Sequence, residues 1–304
     1  MGKNKGYFLV LGTAFISGFS IFINKFGVSV GSPYIFTFLK NAIVALLLCA
    51  VIFTAKNFSL LKSIKKKQWG WLALIGIIGG GIPFLLFFKG LSMTSAAGAS
   101  FIHKTMFIWI FILAGVFLKE KIEKNYLLAG LLITAGNIIL LKLSNIHLDK
   151  GCLLVFLATV FWAVENVISK HILKEIPPRV VMWARMFFGS VIILFFIIFT
   201  GQAALLAKLN LQQMSWAMIT GVVLLGYVAT WYSGLKYIKV SEAAVILALG
   251  SPITTLLTAV FSNPVSPKEY LSSALIILGV FVLGIGFFRN YLFLFRKIPK
   301  LFSF

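Results

Sequence analysis

INKFGVSVGSPYIFTFLKNAIVALLL, residues 23–48, and ISKHILKEIPPRVVMWARMFFGSVII, residues 168–193, decide how this chain is read. Laid over each other at a shift of 145, they match Lys25 with Lys170, Pro33 with Pro178 and Lys40 with Arg185. Further along, Gly90-Leu91 matches Gly234-Leu235 and Tyr126 matches Tyr270 at a shift of 144. Nearly one register held over so long a stretch marks an internal duplication. We expect two units, residues 1–146 and 147–304.

The solvent of those units follows from composition. Of 304 residues, 60% are hydrophobic and only 12% charged, with a mean hydropathy of +1.02. Soluble domains hold about 45–50% apolar and about 25% charged residues. This chain is expected to lie in a bilayer. The formal charge of +21 would suggest nucleic acid in a soluble protein. Here the basic residues fall mostly in short connectors beside apolar runs, as topology signals and contacts to anionic lipid headgroups. No nucleic-acid partner is expected. Cys49 and Cys152 fit neither a metal spacing nor a disulfide framework.

A window of about 20 residues finds ten apolar stretches: 6–24, 33–54, 69–90, 94–118, 126–143, 151–171, 179–200, 215–236, 241–262 and 270–290. Continuous rather than alternating hydrophobicity favours helices over a barrel. The start, MGKNKGYFLVLGTAFISGF, looks like a signal peptide but lacks a small-x-small cleavage site, so it reads as a retained first span. The expected fold is therefore all-α and integral to the membrane, ten helices as two five-helix repeats. Five is odd, so the second copy must enter upside down relative to the first. Inverted repeats with a midplane site are the build of many secondary transporters.

Charge bias orients the chain. Lys25, Lys89, Lys142, Lys150, Lys208 and Lys268 fall on one side, and Lys40, Lys104 and Arg185 inside spans, which leaves 19 of the 28 Lys and Arg on the side of both tails. Both termini are expected in the cytoplasm and the protein in the cell membrane.

Several phrases resemble the EamA branch of the drug/metabolite transporter superfamily over about residues 6–290. FLKNAIVALLL (38–48) resembles its second span, FWAVENVISKHIL (161–173) the opening of a repeat, GVFLKEKI (115–122) the end of a fourth span, and VSEAAVILALGSPITTLLTAVF (240–261) a ninth span with Pro252 in place. FSNPVSPKEY (261–270) lacks the family's Glu, and Ile108 stands where the second copy has Pro252. The resemblance implies a transporter of small organic solutes, often an exporter.

A charge at the bilayer centre costs about 2.5–3.5 kcal/mol or more, so intramembrane ionisable residues are the first candidates for a site. Glu165 lies about fifteen residues into its span, with Trp162 and Ser169 on its face and Asn166 at the border. It is either a proton, cation or amine site, or the partner of Arg185 or Lys104 in a structural ion pair. Lys104 is expected to face a cavity; the adjacent His103 points elsewhere and reads as a packing histidine. Lys40 and Arg185, the matched pair, are anchors near helix ends or contributors to anion binding. Trp231, Tyr232, Tyr227 and Trp162 either line an amphipathic pocket or pack between helices. Pro83 leaves the Gly79 carbonyl without its helical donor, and Pro252 does the same for Ala248, at a hinge or a close-packed crossing.

No phosphate-cradling loop, nucleophile elbow or zinc spacing stands out. No enzyme activity, cofactor or metal is expected. Lys104, Arg185 and Lys40 against Glu165 give the candidate site a net positive charge. The expected function is therefore secondary transport, in the export direction, of an anionic or zwitterionic metabolite such as an amino acid, coupled to a proton or ion gradient. The rivals are a lipid-linked-substrate flippase on the same scaffold and, further off, a membrane-embedded enzyme.

Overall fold

The computed structural model describes residues 2–53, 55–121, 124–143, 149–261 and 267–297. Among these, all regular structure is helical. In chain order come α1 (Gly2–Ser29), α2 (Pro33–Ile52), the short α3 (Ala55–Lys62) and α4 (Lys66–Ile75). A π-helical turn (Gly76–Gly81) carries α4 on into α5 (Ile82–Met93). Next, α6 (Ala96–Lys104) and α7 (Met106–Leu118) form one broken rod, followed by α8 (Lys124–Leu143), α9 (Lys150–Ile172) and α10 (Pro178–Phe199). After a 3-10 turn (Ala203–Lys208) come α11 (Leu211–Leu235), a second broken rod of α12 (Val240–Leu247) and α13 (Gly250–Phe261), and α14 (Pro267–Lys297). Among the described residues, helix fills most of each of the ten expected stretches. Among the described residues, eight helices or continuous rods are long and apolar enough to cross a membrane; Tyr270–Val282 of α14 is a shorter apolar stretch. Residues 262–266 of the 261–270 connector, and Lys300, lie outside the described residues, as do the side chains of Lys56, Lys142, Arg289, Arg296 and Lys297.

Local chemistry sets the helix ends. Pro33 and Pro178 open α2 and α10, where a missing N–H costs nothing. Ser95, Asp149 and Asn210 accept the backbone N–H groups of Gly98, Cys152 and Gln213 at 3.0, 2.8 and 2.8 Å. The Cys152 N–H holds the Asp149 carboxyl below the usual carboxylate range. Lys119 closes α7 in the left-handed region, at φ 54°.

Contacts recur at the same shift as the sequence matches. Lys25 Nζ donates to the carbonyls of Leu91 and Thr94 at the end of α5, at 2.9 and 2.6 Å. Lys170 Nζ donates to the Leu235 carbonyl at the end of α11, at 2.7 Å. α5 crosses α9 at Gly90, where a Cβ would stand 2.6 Å from the Gly151 carbonyl oxygen and 2.8 Å from Val155 Cγ2. α11 crosses α1 at Gly234, where a Cβ would stand 3.1 Å from the Gly6 oxygen and 2.7 Å from Val10 Cγ2. α8 and α14 pack by exchange: Gly136 sits against Ser272 and Ile276, and Gly279 against Ala129 and Ile133. Small residues at such crossings let helix backbones approach where lipid gives no hydrophobic drive. The two rods also break at matching places, at Thr105 and at Ala248-Leu249. α1 therefore lies on α11, α9 on α5, and α2 on α10.

Candidate functional site

The site begins with a backbone problem. Pro83 has no N–H, so the Gly79 carbonyl needs another donor. The structure supplies one from across the seam: the Trp162 indole N–H of α9 donates to Gly79 O at 2.8 Å. Asn41 of α2 donates to Gly80 O at 3.2 Å. The other proline is answered locally, since the Ser251 N–H donates to Ala248 O at 3.0 Å. The π-helical turn GIIGGG keeps an i→i+5 bond of its own, from Ile82 N–H to Ile77 O, and is held from two neighbouring helices as well.

Its glycines admit the charged pair. A Cβ on Gly79 would stand 2.4 Å from Glu165 Cγ, and one on Gly80 only 1.9 Å from the Arg185 carbonyl oxygen. Glu165, 1% exposed, takes hydrogen bonds on Oε1 from Ser169 Oγ at 2.5 Å and from the Tyr232 hydroxyl at 2.7 Å. Its Oε2 lies 4.0 Å from Arg185 Nε. The Arg185 guanidinium carbon lies 5.3 Å from the centre of the Phe84 ring and 5.8 Å from that of Tyr232. Of the two cations considered for Glu165, Arg185 lies within 4.0 Å of its carboxylate and Lys104 does not.

In front of this pair, α1, α2, α5, α6, α7, α9, α10 and α11 surround a cavity of about 60 Å³. Lys40, Arg185, Asn166, Trp162 and Trp231 line it, while Glu165 and Tyr232 sit behind the wall. Lys40 Nζ donates to Asn24 Oδ1 at 3.1 Å and stands 3.4 Å from the centre of the Phe88 ring. The Trp231 indole N–H donates to Asn166 Oδ1 at 2.7 Å, and Tyr227 stacks on Trp231 at 6.3 Å.

Lys104 and His103 are placed the other way round from the helical-wheel expectation. Lys104 is not among the residues that line the space; it donates at 2.6 Å to Ser17 Oγ, of a residue that does, and lies against Gly250, where a Cβ would stand 3.0 Å from Nζ. His103 lines the space, its ring 5.1 Å from Trp162 and 5.6 Å from Phe87. The helix ends at Lys104 and restarts at Met106, so the face expected to join Ser100 and Lys104 to Phe107 and Ile108 does not run through.

A second polar cluster ties the bundle at the end where α1 begins. Glu242, buried in the first turn of α12, accepts from the Tyr7 hydroxyl of α1 at 2.6 Å and from the Tyr126 hydroxyl of α8. Lys3 Nζ lies 3.5 Å from the same carboxylate. Glu120 caps α12 by accepting from Val240 N, Ser241 N and Ser241 Oγ. The residue 144 positions before Glu242 is Gly98, so the matching place in the first half has no carboxylate.

Comparison with known proteins assigns the chain. The model of the EamA-like transporter family matches it twice, over residues 4–142 and 149–285. The chain belongs to the EamA-like transporter family. Among EamA relatives, the "Uncharacterized transporter YyaM" of Bacillus subtilis is 26% identical over 286 residues, 90% of this chain and 92% of its own. The "Riboflavin transporter ImpX" of Fusobacterium nucleatum is 24% identical over 248 residues, 77% of this chain and 83% of its own. One solved crystal structure shares the fold with a TM-score of 0.73 at 18% identity, covering 92% of this chain and 96% of its own. This EamA-family chain is thus a multi-pass membrane protein of a transporter family.

Sequence reasoning passed over several EamA cavity residues. Ser17, Ser20, Ile21 and Asn24 line the space from α1, and their i, i+3, i+4, i+7 spacing is one helical face. Phe84, Phe87 and Phe88 do the same from α5. The polar stripe on α1 was readable as helical periodicity; the phenylalanines carry no signal that separates them from lipid-facing ones.

Proposed function

We propose that this protein is a secondary active transporter of small organic anions or zwitterions, in which two oppositely oriented five-helix halves alternate access to the seam cavity. Ten crossings with both termini in the cytoplasm, export across the cell membrane, and coupling to a proton or ion gradient complete the proposal. One observation carries the substrate class: Lys40 and Arg185 both face the cavity, and no Asp or Glu is among its lining residues. A cavity of one sign attracts the other. The exchanged contacts of first and third helices are what a two-fold relation between halves requires, and an odd number of crossings per half turns that relation upside down. The relative named for riboflavin transport supports a ring-bearing solute, which Phe84, Phe88, Trp162 and Tyr227 would stack against.

The test is flux in proteoliposomes. Riboflavin 5′-phosphate beside riboflavin, and indole-3-acetate beside indole-3-acetamide, are offered with and without a pH gradient. Acid-bearing solutes should move faster than their neutral analogues, and Lys40→Gln and Arg185→Gln should each remove that preference. Equal flux of both kinds sinks the anion assignment; no flux of any kind sinks transport of these classes.

A further inference from the structure

The polar groups around the cavity are nearly all committed. The N–H groups of Trp162 and Trp231 are spent on Gly79 O and Asn166 Oδ1. Asn24 gives its amide N–H to Ser20 and its oxygen to Lys40. The remaining Asn166 amide N–H meets only the Met106 sulfur, at 3.6 Å. Among the described residues, two that line the cavity carry a buried atom with no hydrogen-bond partner: Arg185 at Nε and His103 at Nδ1. Buried polar atoms without partners are rare, and each one calls for an explanation.

The two lie at different ends of one aromatic wall. Lys40 Nζ and Arg185 Cζ stand 5.5 and 5.3 Å from the centre of the Phe84 ring. His103 stands beside Phe87, one helical turn along α5, with Trp162 5.4 Å from Phe84 and 5.2 Å from Phe87 between them. The cationic end supplies donors only. Beside the hydroxyls of Ser17, Ser20 and Tyr227, the acceptor left for a solute is the neutral imidazole of His103, at its bare nitrogen.

We infer that His103 is a specificity residue that accepts a hydrogen bond from an N–H or O–H group of the solute, and that the solute is therefore a flat, acid-bearing ring with such a donor on the edge away from its acid. The acid meets Lys40 and Arg185, the ring lies along Phe84 and Phe87, and the donor reaches the imidazole. This inference rests on the cavity being the solute site and adds a second point of recognition to it. A site built to bond an N–H discriminates strongly against analogues that lack it, because its own polar group is then left unpaired.

The experiment is ligand binding to the purified full-length protein by thermal shift and titration, with matched pairs that differ by one methyl on nitrogen. The probes are indole-3-acetate against 1-methylindole-3-acetate and riboflavin 5′-phosphate against its 3-methyl derivative, each with the neutral amide or dephosphorylated form. For at least one pair the N–H member should bind about ten-fold tighter, the worth of one net hydrogen bond lost. His103→Phe should erase that ratio while keeping the preference for the acid, and His103→Gln should restore part of it. Size-exclusion profiles confirm that the variants are folded. If no pair shows a preference, or if the preference survives in His103→Phe, the inference is overturned while anion selectivity still stands. If no acid-bearing probe binds better than its neutral form, the underlying site reading falls and the inference with it.

Discussion

Gly80→Ala puts the seam under the sharpest strain available from a single methyl group. The added Cβ would lie 1.9 Å from the Arg185 carbonyl oxygen, 2.9 Å from its carbonyl carbon and 3.1 Å from Gly189 Cα. Ordinary contact begins near 3.4 Å, so the π-helical turn and α10 must part by about 1.5 Å, and both faces are backbone that cannot swing aside. Overpacking of this kind costs about 1–3 kcal/mol, against which Ala gains up to about 1 kcal/mol over Gly in a helix. We expect a net loss of about 2 kcal/mol, and a wider separation of Arg185 from Glu165. Gly115→Ala in α7 and Gly70→Ala in α4 are the controls, since nothing lies within 4 Å of either added Cβ. These should be neutral or stabilising by about 0.5–1 kcal/mol. Thermal unfolding in detergent, followed by intrinsic fluorescence, measures all three. Gly80→Ala melting with the controls would refute the close crossing of the turn and α10.

Two further outcomes follow from the polar clusters. Glu165→Gln should destabilise by about 3 kcal/mol, the low end for a broken buried pair because the contact is 4.0 Å; Glu165→Gln with Arg185→Gln should recover part of the loss, and a thermal-unfolding double-mutant cycle reads the coupling. Glu242→Gln or Tyr7→Phe should loosen the end where α1 begins, seen as a several-fold faster reaction of a cysteine at Ser17 with a thiol reagent added from that side, with no change from the other.

Much of the fold is readable from hydrophobic run length because lipid forces every backbone group into a helix. Pro83 is readable in the same way: a missing N–H dictates a stranded carbonyl at Gly79, although only the fold shows that Trp162 serves it. Glu165 and Arg185 are readable as a pair because two buried charges of opposite sign have few other partners. The facing of His103 and Lys104 is not readable, since both stand on the short α6 and its packing against α9 and α1 decides which of them reaches the cavity. The Glu242 cluster is hidden for another reason. It joins residues 7, 126 and 242, which no local pattern links.

The opposed orientation of the two halves is tested most directly by labelling equivalent connectors. Ser29 and Lys174 are both exposed and 145 positions apart, at the ends of the first helix of each half. With Cys49 and Cys152 replaced, Ser29→Cys and Lys174→Cys are treated in intact cells with a membrane-impermeant maleimide. Labelling of Cys at 29 from outside, and of Cys at 174 only after permeabilisation, is the predicted result. Labelling of both from the same side would mean that the halves run the same way, and the seam cavity would lose its alternating access.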